Sequence, residues 1–516
     1  MGFPLRTVAG LLCLLCVVPA RAAPDRALER GTAIVDPLAL RELDRGRFGL
    51  GRILQPARAS DTPLDNAQLF AMPVMAPVKA AIDAEFERYI ARHRAGLPGE
   101  TIGVGEAFAF QLFDRAQLVS GEARFVLAGI VNRMDRSFAA GPGCGEIRLI
   151  YRLVRTGAVA GETSPRLPMT LNVVLRARGE PAVDRDGTPI TCAVIAGRWL
   201  ATADLAVTGR DLAAKLQAKG GPLDLVISEN IDRIETNLQI AHASKSATRD
   251  FRTDYLLKLF RYDAPTRTFV EATLENQIDR ERLLADGNLA REFKAWLLDP
   301  VHFAEFDRGT VLIPEKFLAK AAIAPTPVGF APSKLQPEFG LSQGEGDDPL
   351  FGESDVVAAL KKAAANGAGL QNIRSFGGFQ RRLNDITCAG CHQTRGIGGF
   401  HFPGVDWMAA KPSNSTVVPA SPHFFGDQAR RRDILIALRD GRAPDYSKGF
   451  ASRPQLRGAR ELAGTEYSDG WGAHCYRLMR VRDANDASFR NWTCATGLAC
   501  QTAGASRMGM CFVKAP

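Results

Sequence analysis

The chain has 516 residues, 46% of them hydrophobic and 23% charged, with a formal charge of +9. That length suggests two or three domains with large globular cores. The basic residues are scattered and form no compact basic-aromatic motif, which argues against nucleic acid and leaves an acidic partner or an anionic surface to explain the mild positive charge.

The first elements are read in chain order. MGFPLRTVAGLLCLLCVVPARAAPDRA has a basic Arg6, a short apolar core and a small-x-small site at Ala20-Arg21-Ala22. This reads as a cleaved secretory signal over residues 1–22, too short for a membrane span. No later apolar run is long enough to cross a bilayer, so a periplasmic or secreted location is expected. Residues 75–94 place Val78, Ile82, Phe86, Tyr89 and Ile90 at helical spacing. ARFVLAGIVNRM (123–134), EIRLIYRLVR (146–155), MTLNVVLRAR (169–178), LDLVISENI (223–231) and YLLKLFRYD (255–263) read as strands. Asp184-x-Asp186-Gly187 lacks the rest of a calcium loop and reads as a hairpin turn. Helices are expected over about 205–218 and 279–298. Residues 323–350 are rich in Pro and Gly and read as a linker. A helix capped by Ser354 follows, and another over 427–440.

The expected fold is therefore α+β. A strand-rich domain (23–322) precedes the linker, then a mostly helical domain (351–465) and a cysteine-rich tail (466–516). Eight cysteines lie beyond the signal. Cys144 and Cys192 are isolated and suit a mutual disulfide. Cys475, Cys494, Cys500 and Cys511 cluster within forty residues and suit two more.

Cys388-Ala-Gly-Cys391-His392 has the spacing of covalent haem c attachment. Two thiols can add to two vinyl groups on one ring edge, and the adjacent imidazole can bind iron. Rival readings are a disulfide between Cys388 and Cys391, a redox pair and a zinc site. Zinc would need further thiolates or histidines at similar spacing, and no second C-x-x-C exists. His93, His242 and His302 are isolated and read as structural or solvent-facing.

The stretch from 350 to 450, about a fifth of the chain, resembles c-type cytochromes. The resemblance implies one covalent haem c per chain, His392 as an iron ligand, and the Pro403 carbonyl in GGFHFPG accepting the ring N–H of His392. The methionine usual some sixty residues after the motif is missing. Met408 in DWMAAKP and His423 in SPHFFGD, both expected in loops, are the candidates for the sixth ligand. GIVNRMDR followed by CGEIRLIYRL also resembles uncharacterised exported bacterial proteins with a late C-x-x-C-H, with no activity implied. Three functions stay open. The first is electron transfer with an acidic redox partner. The second is a haem-dependent oxidoreductase, peroxidase-like or oxygen-activating, with an open sixth position. The third is a non-catalytic secreted binding protein with a Cys388–Cys391 disulfide.

Overall fold

The computed structural model describes residues 31–57, 62–139, 141, 143–157, 166–179, 183, 187, 189–243, 252–326, 350–390, 405, 407–408, 422–448, 474–479, 485, 492–494, 496–502 and 508–513. The expected signal at 1–22 lies outside them. The chain is α+β, with a large strand-rich region first and helices concentrated later. Ten strands form one sheet: β1 (Ala33–Ile34), β2 (Ile102–Gly103), β3 (Phe110–Leu112), β4 (Ala123–Arg133), β5 (Glu146–Arg155), β6 (Arg166–Arg176), β7 (Ile231–Ala243), β8 (Arg252–Asp263), β9 (Thr268–Ala272) and β10 (Ala321–Thr326). The order is β1-β4-β5-β6-β7-β3-β2, and β8 pairs with β7, β9 and β10. The long strands β4 to β8 are consecutive antiparallel neighbours, while β2 runs parallel to β3.

Side chains alternate between the two faces of a strand. One face of β5 carries Ile147, Leu149 and Tyr151. It packs with Leu171 and Val173 of β6 and Ile234 of β7 into the main apolar cluster. The helices Pro37–Arg45 and Ala76–Gly96 add Leu40, Leu43, Val78, Ile82 and Phe86 to that cluster. Tyr151, Tyr89 and Lys258 on this side each find a polar partner. Tyr151 Oη donates to the Phe48 carbonyl at 2.8 Å, Tyr89 Oη to Asp254 at 2.5 Å, and Lys258 Nζ to Glu85 at 3.0 Å. The opposite face carries Glu146, Arg148, Asn172, Arg233 and Glu235, and these are buried as well.

A second apolar cluster joins residues on both sides of the expected linker. Leu283, Phe293, Phe303, Phe306 and Phe317 pack with Phe351, Val356, Phe379 and Leu383. The stretch 278–318 thus shares a core with 351–386, across the expected boundary at 322. Strand β10 takes the first four residues of the 323–350 linker, and 327–349 lie outside the described residues.

Several local expectations are corrected. Residues 223–230 are turns and a short 3-10 segment rather than a strand. Leu223 N–H donates to the Leu216 carbonyl at 3.0 Å and Val226 N–H to the Leu223 carbonyl at 3.2 Å, so reverse turns bury these apolar residues. The 279–298 helix is two helices, Arg280–Ala285 and Gly287–Leu297. Asp286 separates them because its carboxylate caps the second, accepting from the Asn288 and Leu289 amides. Gly352, not Ser354, is the N-cap of Glu353–Ala365. The last long helix begins at Pro422, so His423 lies in its first turn rather than in a loop.

The turn at Gly187 (φ 78°) is closed by an antiparallel bridge between Val183 and Pro189. The Cys144–Cys192 disulfide is present, with Cα atoms 5.3 Å apart. The tail forms a separate sheet of β11 (His474–Tyr476), β12 (Leu498–Thr502) and β13 (Met508–Val513), in the order β11-β13-β12, closed by a Cys475–Cys500 disulfide. Cys494 is also disulfide-bonded. Arg381 lies 4.6 Å from the Trp492 ring and fastens this unit to the helix Phe376–Ile386. Among the described residues no helix is long and apolar enough to cross a membrane.

Candidate functional site

The buried charged face of the sheet is organised by carboxylates, each shared among arginines. Glu146 opens β5 and accepts from Arg148 at 2.8 Å and Arg233 at 2.8 Å, and it lies 3.4 Å from Arg136. Glu235 on β7 accepts from Arg148 at 3.0 Å and Arg233 at 2.9 Å. Burial alone would raise the Glu146 carboxyl, but Arg233, Arg148 and Arg136 outweigh it and hold the group well below the usual carboxylate range. The alternation of EIRLIYR and IDRIET puts these residues on one face, opposite the apolar cluster.

The GIVNRMDR segment supplies the next layer. β4 ends at Arg133 and turns into the 3-10 helix Met134–Ala139. Asn132 Oδ1 accepts from the Met134 amide at 2.8 Å and fixes that turn. Gly145 has φ 99°, and a Cβ there would lie 2.7 Å from the Arg133 carbonyl oxygen, so the crossing of these segments requires glycine. Asp135 accepts from Arg133 at 2.8 Å and from Arg430 at 2.7 Å. Asp427 accepts from Arg430 at 2.5 Å and Arg431 at 2.7 Å. This network anchors the helix Pro422–Arg439 to the sheet. Burial raises Asp135, but Arg133, Arg430 and Arg431 together hold it well below the ordinary value. Arg136 reaches the other way and pairs with Glu275.

Cys388 meets this surface from the second apolar cluster. Its Sγ donates to the Glu275 carbonyl at 3.4 Å. The next amide, Ala389 N–H, donates to Gln277 Oε1 at 2.8 Å, and Gly390 N–H donates to Thr387 Oγ1 at 2.9 Å. A Cβ on Gly390 would lie 2.1 Å from the Asn384 carbonyl oxygen, so the second residue between the two cysteines has to be glycine. Cys388 and Ala389 pack with Leu257, Leu259 and Leu274.

Between these parts lies a cleft of about 810 Å³, within the range of ligand and cofactor pockets. Its described lining combines apolar Leu259, Leu274, Leu318 and Ile386 with seven basic and five acidic side chains, and Cys388 stands in its wall. The Cys144–Cys192 disulfide supports one rim, since Gly143, Gly145 and Gly179 also line the cleft. A Cβ on Gly179 would come within 2.7 Å of Cys144 Sγ. Lys448 reaches the cleft from the loop after the last long helix. Burial, with Arg136 nearby, pushes its amine down to about 8 against the pull of Glu275.

The residues fit a haem in one respect that the sequence did not show. The Cys388 thiol opens onto a cavity of cofactor size, beside apolar side chains for a ring and an excess of cations for carboxylate substituents. Cys391, His392 and Pro403 lie outside the described residues. Met408 is half-buried against the main apolar cluster and is not among the described residues lining the cleft. It neighbours Trp407, whose Nε1 donates to the Leu127 carbonyl at 2.8 Å. His423 is placed by its backbone in the helix Pro422–Arg439. Among the described residues no group of three His, Cys, Asp or Glu side chains forms a metal site. Two of the isolated histidines pack against aromatic rings. His93 is buried 4.4 Å from the Phe110 ring, and His302 stacks on Trp296 at 4.7 Å. Sequence reasoning missed Arg136, Glu146, Arg148, Arg233, Glu235, Glu275 and Lys448. The available signal was GIVNRMDR and CGEIRLIYRL, read only as a resemblance. No family model, curated protein or solved structure matches the chain.

Proposed function

We propose that the chain is an exported protein that binds one haem c covalently through Cys388 and Cys391, with His392 on the iron, and that it transfers electrons to a partner protein. The observation that carries this reading is the position of Cys388 in the wall of a cleft of about 810 Å³, between apolar and cationic side chains. Bound haem supplies one-electron chemistry. The chain's own residues do the holding. Gln277 and Thr387 fix the turn that presents Cys388. Leu259, Leu274 and Ile386 exclude water from that side of the cleft. Arg148 and Arg233, each already sharing Glu146 and Glu235, give a pre-arranged cationic surface for carboxylates. The Pro403 carbonyl would orient His392. The basic balance of the chain suits an acidic redox partner. Disulfides support export to the periplasm or beyond.

A second reading is a haem-dependent oxidoreductase with an exchangeable sixth position. The packing of Met408 against the sheet's apolar cluster, away from the described cleft lining, favours it. A pyridine haemochrome spectrum of protein exported in a host that matures cytochromes c tests the shared claim. Haem that stays with the protein through acid-acetone extraction supports it, and haem that extracts completely, or is never present, ends it.

A further inference from the structure

Three buried guanidiniums share two carboxylates where the helix Pro422–Arg439 meets the sheet. Asp135 accepts from Arg133 and Arg430, and Asp427 accepts from Arg430 and Arg431. None of these five side chains is more than 3% exposed. One positive charge is left over. Neighbouring acids do not take it up. Arg136 engages Glu275 and Glu146, and Glu146 is shared with Arg148 and Arg233 as well. Asp433 and Asp440 lie on the same helix but are exposed. A buried charge without a counter-charge is strongly destabilising.

The surplus has a location. Arg431 uses its Nε on Asp427 at 2.7 Å, and both its terminal nitrogens are buried without an acceptor among the described residues. Nη1 of Arg430, on the residue before, is buried and unmet in the same way. A guanidinium presents its terminal nitrogens as a planar fork, whose parallel N–H groups match the paired oxygens of a carboxylate. Neither Arg430 nor Arg431 is among the described residues that line the cleft, so this place is distinct from the one beside Cys388.

We propose that Arg431, with Arg430 beside it, holds a small free carboxylate that supplies the missing negative charge. A single carboxylate brings the buried charges into balance, so a monocarboxylic acid suits the site and a dianion overshoots. Occupancy strengthens the joint between this helix and the sheet, because the same guanidiniums hold Asp135 and Asp427. The proposal does not depend on haem.

The test follows denaturant unfolding of the exported full chain in rising sodium formate, a carboxylate small enough for a closed site. Arg431→Met is titrated beside it, so that general salt effects, common to both, cancel. A ligand bound only by the folded chain lowers the unfolding constant in proportion to its concentration once that exceeds Kd. The unaltered chain should therefore show about a tenfold fall for each tenfold rise in formate, beyond any change in Arg431→Met. Arg431→Met leaves Arg133 and Arg430 balanced by Asp135 and Asp427. It should match or exceed the unaltered stability without formate and gain little from adding it. Arg431→Lys keeps the charge but loses the fork. It should need more formate for the same gain, and it keeps the test decisive if the methionine variant does not fold. Equal formate dependence in the unaltered chain and both variants overturns the proposal, because water then suffices for Arg431. The titration is repeated on the full chain exported without haem. Formate dependence confined to the haem-free chain overturns the free acid, because a haem carboxylate then fills the fork.

Discussion

On one face of the ten-stranded sheet Leu149, Leu171 and Ile234 are sealed from solvent, and on the other Arg148, Asn172 and Glu235 are buried almost as completely. The two faces share the same strands but differ in what burial achieves. Removing apolar surface from water stabilises by about 25 cal/mol per Å². Burying ion pairs returns little net stability, because desolvation cancels most of the attraction. The apolar face is therefore enough to explain why the sheet folds. The charged face needs another reason, and the adjoining cleft with Cys388 in its wall supplies one.

Breaking the charged face should give the largest effect. Glu146→Ala leaves Arg136, Arg148 and Arg233 without the carboxylate they share. It should cost about 3–5 kcal/mol in denaturant unfolding and also lower the yield of covalently bound haem. Leu149→Ala on the apolar face should cost a similar or smaller amount, about 3 kcal/mol. Folded Leu149→Ala protein should keep the unaltered haem spectrum. If both variants lose haem in proportion to stability, the two faces are not functionally distinct.

A pH titration sharpens the same contrast. Burial raises the Glu275 carboxyl, but Arg136 and Lys448 outweigh it and bring the group from 4.5 to about 2. The stability it contributes is complete above 4.5 and is lost as the pH falls from there toward 2. Glu275→Gln should therefore flatten the acid limb of a stability-against-pH curve, while Leu149→Ala should shift the whole curve down without changing its slope. The smallest effect belongs to a surface pair. Arg92 and Glu281 lie 2.7 Å apart but are largely exposed, so Arg92→Ala should change stability by less than about 1 kcal/mol. A larger loss would mean that exposed charge matters here as much as buried charge.

The strands were legible where β-branched, aliphatic and aromatic residues recurred between turn residues. EIRLIYRLVR is β5 to the residue, and the helix around Val78 and Phe86 begins one residue after its expected start. LDLVISENI misled because its Leu223 and Val226 are buried by reverse turns beside Leu216, a tertiary effect that periodicity does not encode. Asp286 was readable as a cap only once the break it makes was known. Pro422 is a good first helical residue, and that signal at His423 was passed over. The cleft was not legible. Alternating Arg and Glu on β5 and β7 look the same whether water or protein covers them, and only the chain's second apolar cluster, which brings Cys388 across the sheet, decides between the two. The Cys144–Cys192 pairing was legible, because cysteine count and isolation left one arrangement for the first half of the chain.

The central claim is that Cys388 belongs to a haem site. Its most direct test is the mass of the tryptic peptide spanning residues 383–395, from protein exported in a host that attaches haem c and digested without reduction. The account predicts a peptide heavier by one haem, held at both Cys388 and Cys391. A peptide lacking that mass, with Cys388 and Cys391 joined to each other, would contradict it.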